Sequence, residues 1–184
     1  MNKKETFILF FVFLSVWFRL IPHPPNISPI TSLALFSGVT FGKRWLSVIV
    51  PLVSMILSDM ILGFYPISIW VYLSFVLVTI FGWIVQNTNT KNVFISSLIF
   101  FIVSNFGVFV LGYPHTIEGF VSCYYLAIPF FGLSIIGDQL WNFIINKMYL
   151  FTKENQLQKL LTLTHTMLGC SKSNLLTLAK LMAC

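Results

Sequence analysis

The chain has 184 residues, of which 57% are apolar, 17% aromatic and 9% charged, with a formal net charge of +6. Soluble domains carry about a quarter charged residues, and a chain this short cannot hide 20 phenylalanines in a water-exposed fold. Composition excludes a soluble globular domain and predicts an all-α integral membrane protein, one domain of about six crossings at roughly 20 residues each.

The first apolar run opens at Phe7. No small-residue cleavage site follows it, so it reads as a retained span and not a signal peptide. Apolar runs predict a six-transmembrane-helix bundle over 1–153, with spans near 7–22, 28–42, 45–64, 67–86, 92–112 and 121–149. The breaks between them are Pro22 to Pro29, Gly42-Lys-Arg44, Gly63-Phe-Tyr-Pro66, the polar run Gln86 to Lys91, and Gly112 to Gly119. The second span is short and rich in small residues (Thr31, Ser32, Ala34, Ser37, Gly38), which predicts close packing inside the bundle or a tilted course. Residues 154–184 carry leucines at mixed spacing among Lys, Gln, Ser and Thr, and read as a cytoplasmic tail, amphipathic or disordered.

Lysines and arginines set the expected orientation. Lys3, Lys4, Lys43, Arg44, Lys91, Lys147 and Lys153 fall on one side of six alternating spans, and the other side receives only Arg19. The positive-inside rule then puts both termini in the cytoplasm. The basic balance is a topology signal, and without a basic cluster interleaved with aromatics it does not point to nucleic acid. All three outward connections contain proline with aromatic or histidine residues, whereas the inward ones are plain Lys, Asn, Thr and Gly turns.

The outward stretch Arg19 to Pro29 holds an arginine, His23, Asn26 and four prolines between two apolar runs. Prolines stiffen such a connection, and polar groups at this depth need partners. At about 1.5 Å per residue, Arg19 lies roughly 18 Å and Asp59 roughly 21 Å from the inner side. An Arg19–Asp59 pair is the economical arrangement. It locks two helices, and a ligand carboxylate could still share the arginine. Asn105 sits in Ser104-Asn105-Phe106-Gly107, where its amide could bond across helices and Gly107 could leave room for a backbone or a ligand. His115 and Glu118 share the third outward connection with Tyr113. Their spacing suits a metal only with further ligands such as His23, and solvated loop residues are the alternative. Asp138 follows the Pro129-Phe-Phe-Gly132 stretch, where freed carbonyls and a kink could open a cavity. It could equally be a packing acid bonded to Asn or Tyr. Trp17, Trp70 and Trp141 suit interface anchors, and Trp70 could instead stack on an aromatic ligand.

Signatures of metalloproteases, serine hydrolases, phosphate loops and Cys-x-x-Cys redox sites are absent, so no enzyme activity and no cofactor is expected. Cys123, Cys170 and Cys184 have no metal-ligand spacing and predict no disulfide framework.

The segments Arg19…Pro22-His-Pro-Pro-Asn26…Pro29, Pro51-Leu…Ser58-Asp59…Leu62-Gly63-Phe64, Phe100-Phe101…Asn105-Phe106-Gly107 and Gly119…Cys123-Tyr124…Pro129-Phe130-Phe131…Gly137-Asp138 resemble an uncharacterised family of bacterial six-span membrane proteins. That family in turn resembles the substrate-binding S components of energy-coupling-factor vitamin transporters. The resemblance covers about residues 10–145. It implies a bundle in the bacterial inner membrane that binds a vitamin-like molecule at its outer end. It also implies partnership with a separate transmembrane coupling subunit and two ATPases. S components often carry small residues at four-residue spacing on the first helix, where that subunit docks. Here the helix reads Phe-Phe-Val-Phe-Leu-Ser-Val-Trp-Phe.

The expected function is binding of a vitamin- or metabolite-like molecule during uptake. Arg19, His23 and Asp59 would handle an anionic or polar group, Asn26 and Asn105 would hydrogen-bond, Trp70 or Tyr113 would stack, and His115 and Asp138 complete the candidate set. The rival is a structural or assembly protein whose polar residues only join helices. A third reading is an intramembrane metal-dependent enzyme using His23, His115 and Glu118.

Overall fold

The computed structural model describes residues 3–21, 27–42 and 44–168. Among these the regular elements are α1 (Lys3–Leu20), α2 (Ile30–Phe41), α3 (Trp45–Leu62), α4 (Ser68–Val85), α5 (Thr90–Gly112) and α6 (Ile117–Leu168), and no strand occurs. Four helical stretches are long and apolar enough to cross a membrane: α3, α4, α5 and Ile117–Asn155 of α6. Leu9–Leu20 and Ile30–Phe41 are shorter apolar helices. A twelve-residue helix such as α2 rises about 18 Å, less than the hydrocarbon thickness of about 30 Å. The chain divides into two units, Met1–Ile145 and Asn146–Cys184.

In the first unit α2 is the central element. Every residue from Ile30 to Gly38 is buried, so it is enclosed all round, as its lack of a polar face requires. It packs on α3, α4 and α5. Its approach to α4 is a backbone contact between glycines. A Cβ on Gly38 would lie 2.3 Å from the Thr79 carbonyl oxygen, and one on Gly82 2.8 Å from that of Leu35. The small residues of the second apolar run serve this close approach. Around the crossing, Ile30, Ala34, Leu35, Met55, Phe75, Val78 and Val93 form an apolar core.

Many of the polar groups inside this unit are bonded within a helix or to its neighbour, while Ser15 Oγ and Trp141 Nε1 are buried without a hydrogen-bond partner among the described residues. Pro51 has no N–H, so the Ser47 carbonyl one turn earlier loses its helical donor. Ser37 of α2 supplies the replacement, its hydroxyl donating to Ser47 O at 2.8 Å. Trp83 Nε1 of α4 donates to the Ser47 hydroxyl at 2.9 Å, so Ser47 joins three helices. Ser54, Ser104 and Ser134 each donate to the carbonyl four residues back, which satisfies a hydroxyl without a cross-helix partner. Gly63 closes α3 at φ 99°, its N–H reaching Asp59 O at 2.8 Å. The Asn89 side chain caps α5 by accepting from the Asn92 N–H at 2.9 Å. Polar side chains of α6 fasten it to the chain before it: Tyr124 to Ile102 O, Gln139 to Thr90 O and Asn142 to Thr88 O. α6 stays one helix through Pro129, because a single lost N–H leaves the flanking ladder intact.

In the second unit α6 continues to Leu168, and the Thr152 and Thr162 hydroxyls bond back to Tyr149 O and Gln158 O. Residues 169–184 of the expected tail lie outside the described residues.

Candidate functional site

Arg19 sits in the last turn of α1, where a cation suits the helix C-terminus. Its Nη1 is 2.9 Å from Asp59 Oδ1 of α3, the pair that the depth estimate predicts. The same nitrogen donates to Ser58 Oγ at 2.8 Å and meets Met55 Sδ at 2.9 Å. Asp59 Oδ2 accepts from the Tyr72 hydroxyl of α4 at 2.6 Å. Three helices are thereby joined through one carboxylate, with both of its oxygens engaged. The two partners differ in exposure. Asp59 keeps 4% of its side-chain surface open and Arg19 keeps 22%.

The open surface of Arg19 faces a cavity of about 330 Å³. All six helices line it, with Thr31 of α2, Met55 and Leu62 of α3, Val71 and Phe75 of α4, Phe100 of α5 and Ser134 of α6 joining the arginine. Most of these residues fall near the C-terminal ends of α1 and α3 and the N-terminal ends of α2 and α4. The cavity therefore lies toward the end that carries the α1–α2 and α3–α4 connections. A second cavity, also about 330 Å³, shares Val71, Phe100 and Ser134 with the first. It adds Phe101, Ser104, Asn105 and Phe130. Arg19 and Asn105 thus mark two adjoining spaces that meet at three shared residues. Volumes of this size fall in the range of small-molecule sites, about 300–1,000 Å³. The walls are mainly apolar and aromatic, with a few hydroxyls, one amide and one guanidinium. Such a surface orients a ligand by a small number of hydrogen bonds.

Over residues 1–160 the sequence matches a family described as a family of unknown function, DUF6580. The chain belongs to the DUF6580 family. No curated protein and no solved structure matches it.

The remaining sequence-predicted residues of this DUF6580 member fall into three groups. His23 and Asn26 lie outside the described residues. Trp70, Tyr113 and His115 are not among the residues of either cavity. Trp70 packs its ring on Gly107, where a Cβ would come 2.3 Å from its Cγ, and meets Phe106 edge-on at 5.3 Å. The space expected beside Gly107 is filled by this indole. Tyr113 forms the C-cap of α5. His115 is exposed, with Nε2 3.1 Å from Val110 O and its ring against Phe109. Glu118 is exposed as well, and among the described residues no three His, Cys, Asp or Glu side chains gather.

Asp138 forms the third group. It is 1% exposed, and its side-chain partners are the hydroxyls of Ser97 and Thr31, not the Asn or Tyr expected. Ser97 Oγ of α5 donates to its carboxylate at 2.6 Å, and Ser32 Oγ of α2 donates to its backbone oxygen at 2.7 Å. It joins α2, α5 and α6 one turn from the cavity residue Ser134. Trp141 is buried edge-on to Phe18 at 4.9 Å, which corrects its reading as an interface anchor. Asn105 donates to Phe101 O of its own helix at 2.7 Å, in place of the cross-helix bond.

Among the cavity residues that sequence reasoning missed are Thr31, Val71, Phe100 and Ser134. They lie in uninterrupted apolar or small-residue runs, where nothing local marks them. Ser134 alone carried a signal, standing four residues before Asp138 on the same helical face.

Proposed function

We propose that this protein is a non-enzymatic, small-molecule-binding membrane protein acting in uptake, with an architecture like that of energy-coupling-factor S components. The observation that carries this reading is the pair of adjoining cavities, one bordered by Arg19 and the other by Asn105. The ligand's polar group meets Arg19, its body lies against Phe75 and Phe100, and Asn105 hydrogen-bonds its far end. His23 and Asn26, on the proline-rich connection next to Arg19, supply further polar contacts. The asymmetry of lysines and arginines supports an orientation in the bacterial inner membrane with both termini cytoplasmic and this end facing out. Transport then proceeds with a separate coupling subunit and its ATPases.

The test is mass spectrometry of small molecules retained by the purified protein, beside a Ser134→Phe variant that fills the place where the cavities meet. A molecule present in the wild type and lost from a folded variant supports the reading. Wild-type protein that carries nothing and binds nothing from a metabolite library removes it.

One observation favours the structural rival. Arg19 and Asp59 already satisfy each other at 2.9 Å, and Ser58 and Tyr72 add bonds to the pair, so three helices are joined with no ligand. Under that reading Ser134→Phe lowers thermal stability and changes no ligand occupancy.

A further inference from the structure

We propose that the cavity selects an uncharged, flat aromatic molecule bearing a carbonyl- or amide-type acceptor, and discriminates against the corresponding carboxylate. This rests on the binding reading above and specifies its ligand class. The charges around the site decide the first half of it. Among the described residues Arg19 is the charged side chain that lines either cavity. The connection 22–26 adds no Asp, Glu, Lys or Arg. Glu118 stands exposed in the first turn of α6. Asp59, nearly closed off from the cavity, already balances Arg19 at 2.9 Å.

A ligand carboxylate entering here would surrender its hydration to meet a cation that is already neutralised. It would also bring a second anion close to the buried Asp59, and like charges at such range repel. A neutral acceptor gives up far less hydration. It still gains a charge-assisted hydrogen bond from the guanidinium. Donors remain for it, since a guanidinium carries five N–H groups and the contacts to Asp59, Ser58 and Met55 are made by Nη1.

The walls specify a flat ring. Phe75 and Phe100 line the arginine side and stack on each other at 5.1 Å and 29°. On the Asn105 side Phe101 stands 4.6 Å from Phe131 at 32°. Faces of this kind favour offset stacking of a further aromatic ring, and about 330 Å³ on each side suits one or two rings.

The test uses full-length protein in nanodiscs at neutral pH and matched probe pairs that differ only in charge. The pairs begin with benzamide and benzoate, then indole-3-acetamide and indole-3-acetate, and extend to other one- and two-ring amides and their acids. Calorimetry reads affinity. For the pair that binds best, the amide is expected to bind at least tenfold more tightly than the acid. Asp59→Asn keeps the shape of the site and leaves Arg19 unbalanced. It is expected to move the amide-to-acid ratio at least tenfold toward the acid, with an acid affinity that falls as salt rises. A wild-type preference for acids overturns the proposal, as does a ratio unchanged in Asp59→Asn. Should that variant fail to fold, the wild-type ratio decides alone. If no member of any pair binds, this proposal falls, and the metabolite library decides separately whether the underlying binding reading stands.

Discussion

Arg19 is at once a latch and a cavity residue, and the two roles separate by substitution. Removing it leaves Asp59 buried without its counter-charge, so Arg19→Met should lower unfolding stability by about 3 kcal/mol, the scale for an orphaned buried charge. Adding Asp59→Leu to that variant removes the orphan and should restore most of the loss. Denaturation in detergent, followed by helical circular dichroism, measures both. If the double variant is no more stable than the single, the pair is not the electrostatic unit described. Tyr72→Phe withdraws one neutral donor from Asp59 and should cost about 1 kcal/mol in the same assay. The Arg19–Asp59 pair was legible in the sequence because both residues are charged and at similar helical depth. The partners around it were not. Ser58 and Tyr72 are ordinary residues of apolar helices, and only the azimuth of each helix turns them toward Asp59. Asp138 illustrates the same limit. Its burial could be read from the sequence, but α5 offers Ser96, Ser97 and Ser104, and only packing selects Ser97.

At the scale of elements, the α2–α4 contact is the tightest joint described. Gly38→Ala would place a methyl against the Thr79 carbonyl, which cannot move without shifting α4. The expected cost is about 1–3 kcal/mol from overpacking. Gly132 of α6, where an added methyl would meet nothing within 4 Å, supplies the control. Gly132→Ala should be neutral or stabilising by up to about 1 kcal/mol through helix propensity. Thermal unfolding of the two variants side by side checks the contrast. Equal effects would mean that the backbones do not touch as described. The small residues of α2 announced its close packing, and its full enclosure follows from them. Gly82 carried no such notice inside the long apolar run of α4. Pro51 and Pro129 are opposite cases of helix prolines. Ser37 covers the carbonyl that Pro51 frees, a pairing ten residues apart across two helices that sequence spacing does not reveal.

For the molecule as a whole, the six helices among the described residues overlap the six apolar runs, because hydropathy and proline-glycine punctuation are strong local signals. Four of them are long and apolar enough to cross a membrane, and α6 runs to Leu168, beyond the expected 121–149. The cavity could be foreseen only in part. Arg19 and Asn105 stand out as polar residues in apolar helices, and each borders one of the two spaces. Phe100, Val71 and Ser134 shape both, yet they look like any lipid-facing or core residue until the helices are assembled. Trp70 and His115 had the chemistry of ligand contacts, but one packs on Gly107 and the other bonds within an exposed turn. The α1–α2, α3–α4 and α5–α6 connections each contain proline, and the first cavity lies toward the helix ends that the first two join.

That the adjoining cavities hold a small molecule is the central claim, and its most direct measurement is mass spectrometry of ligands released from gently purified wild type and Ser134→Phe. The predicted result is a one- or two-ring neutral compound released from the wild type and missing from a variant of unchanged helical content. The same empty spectrum from both proteins, or the same compound at equal occupancy in both, would contradict it.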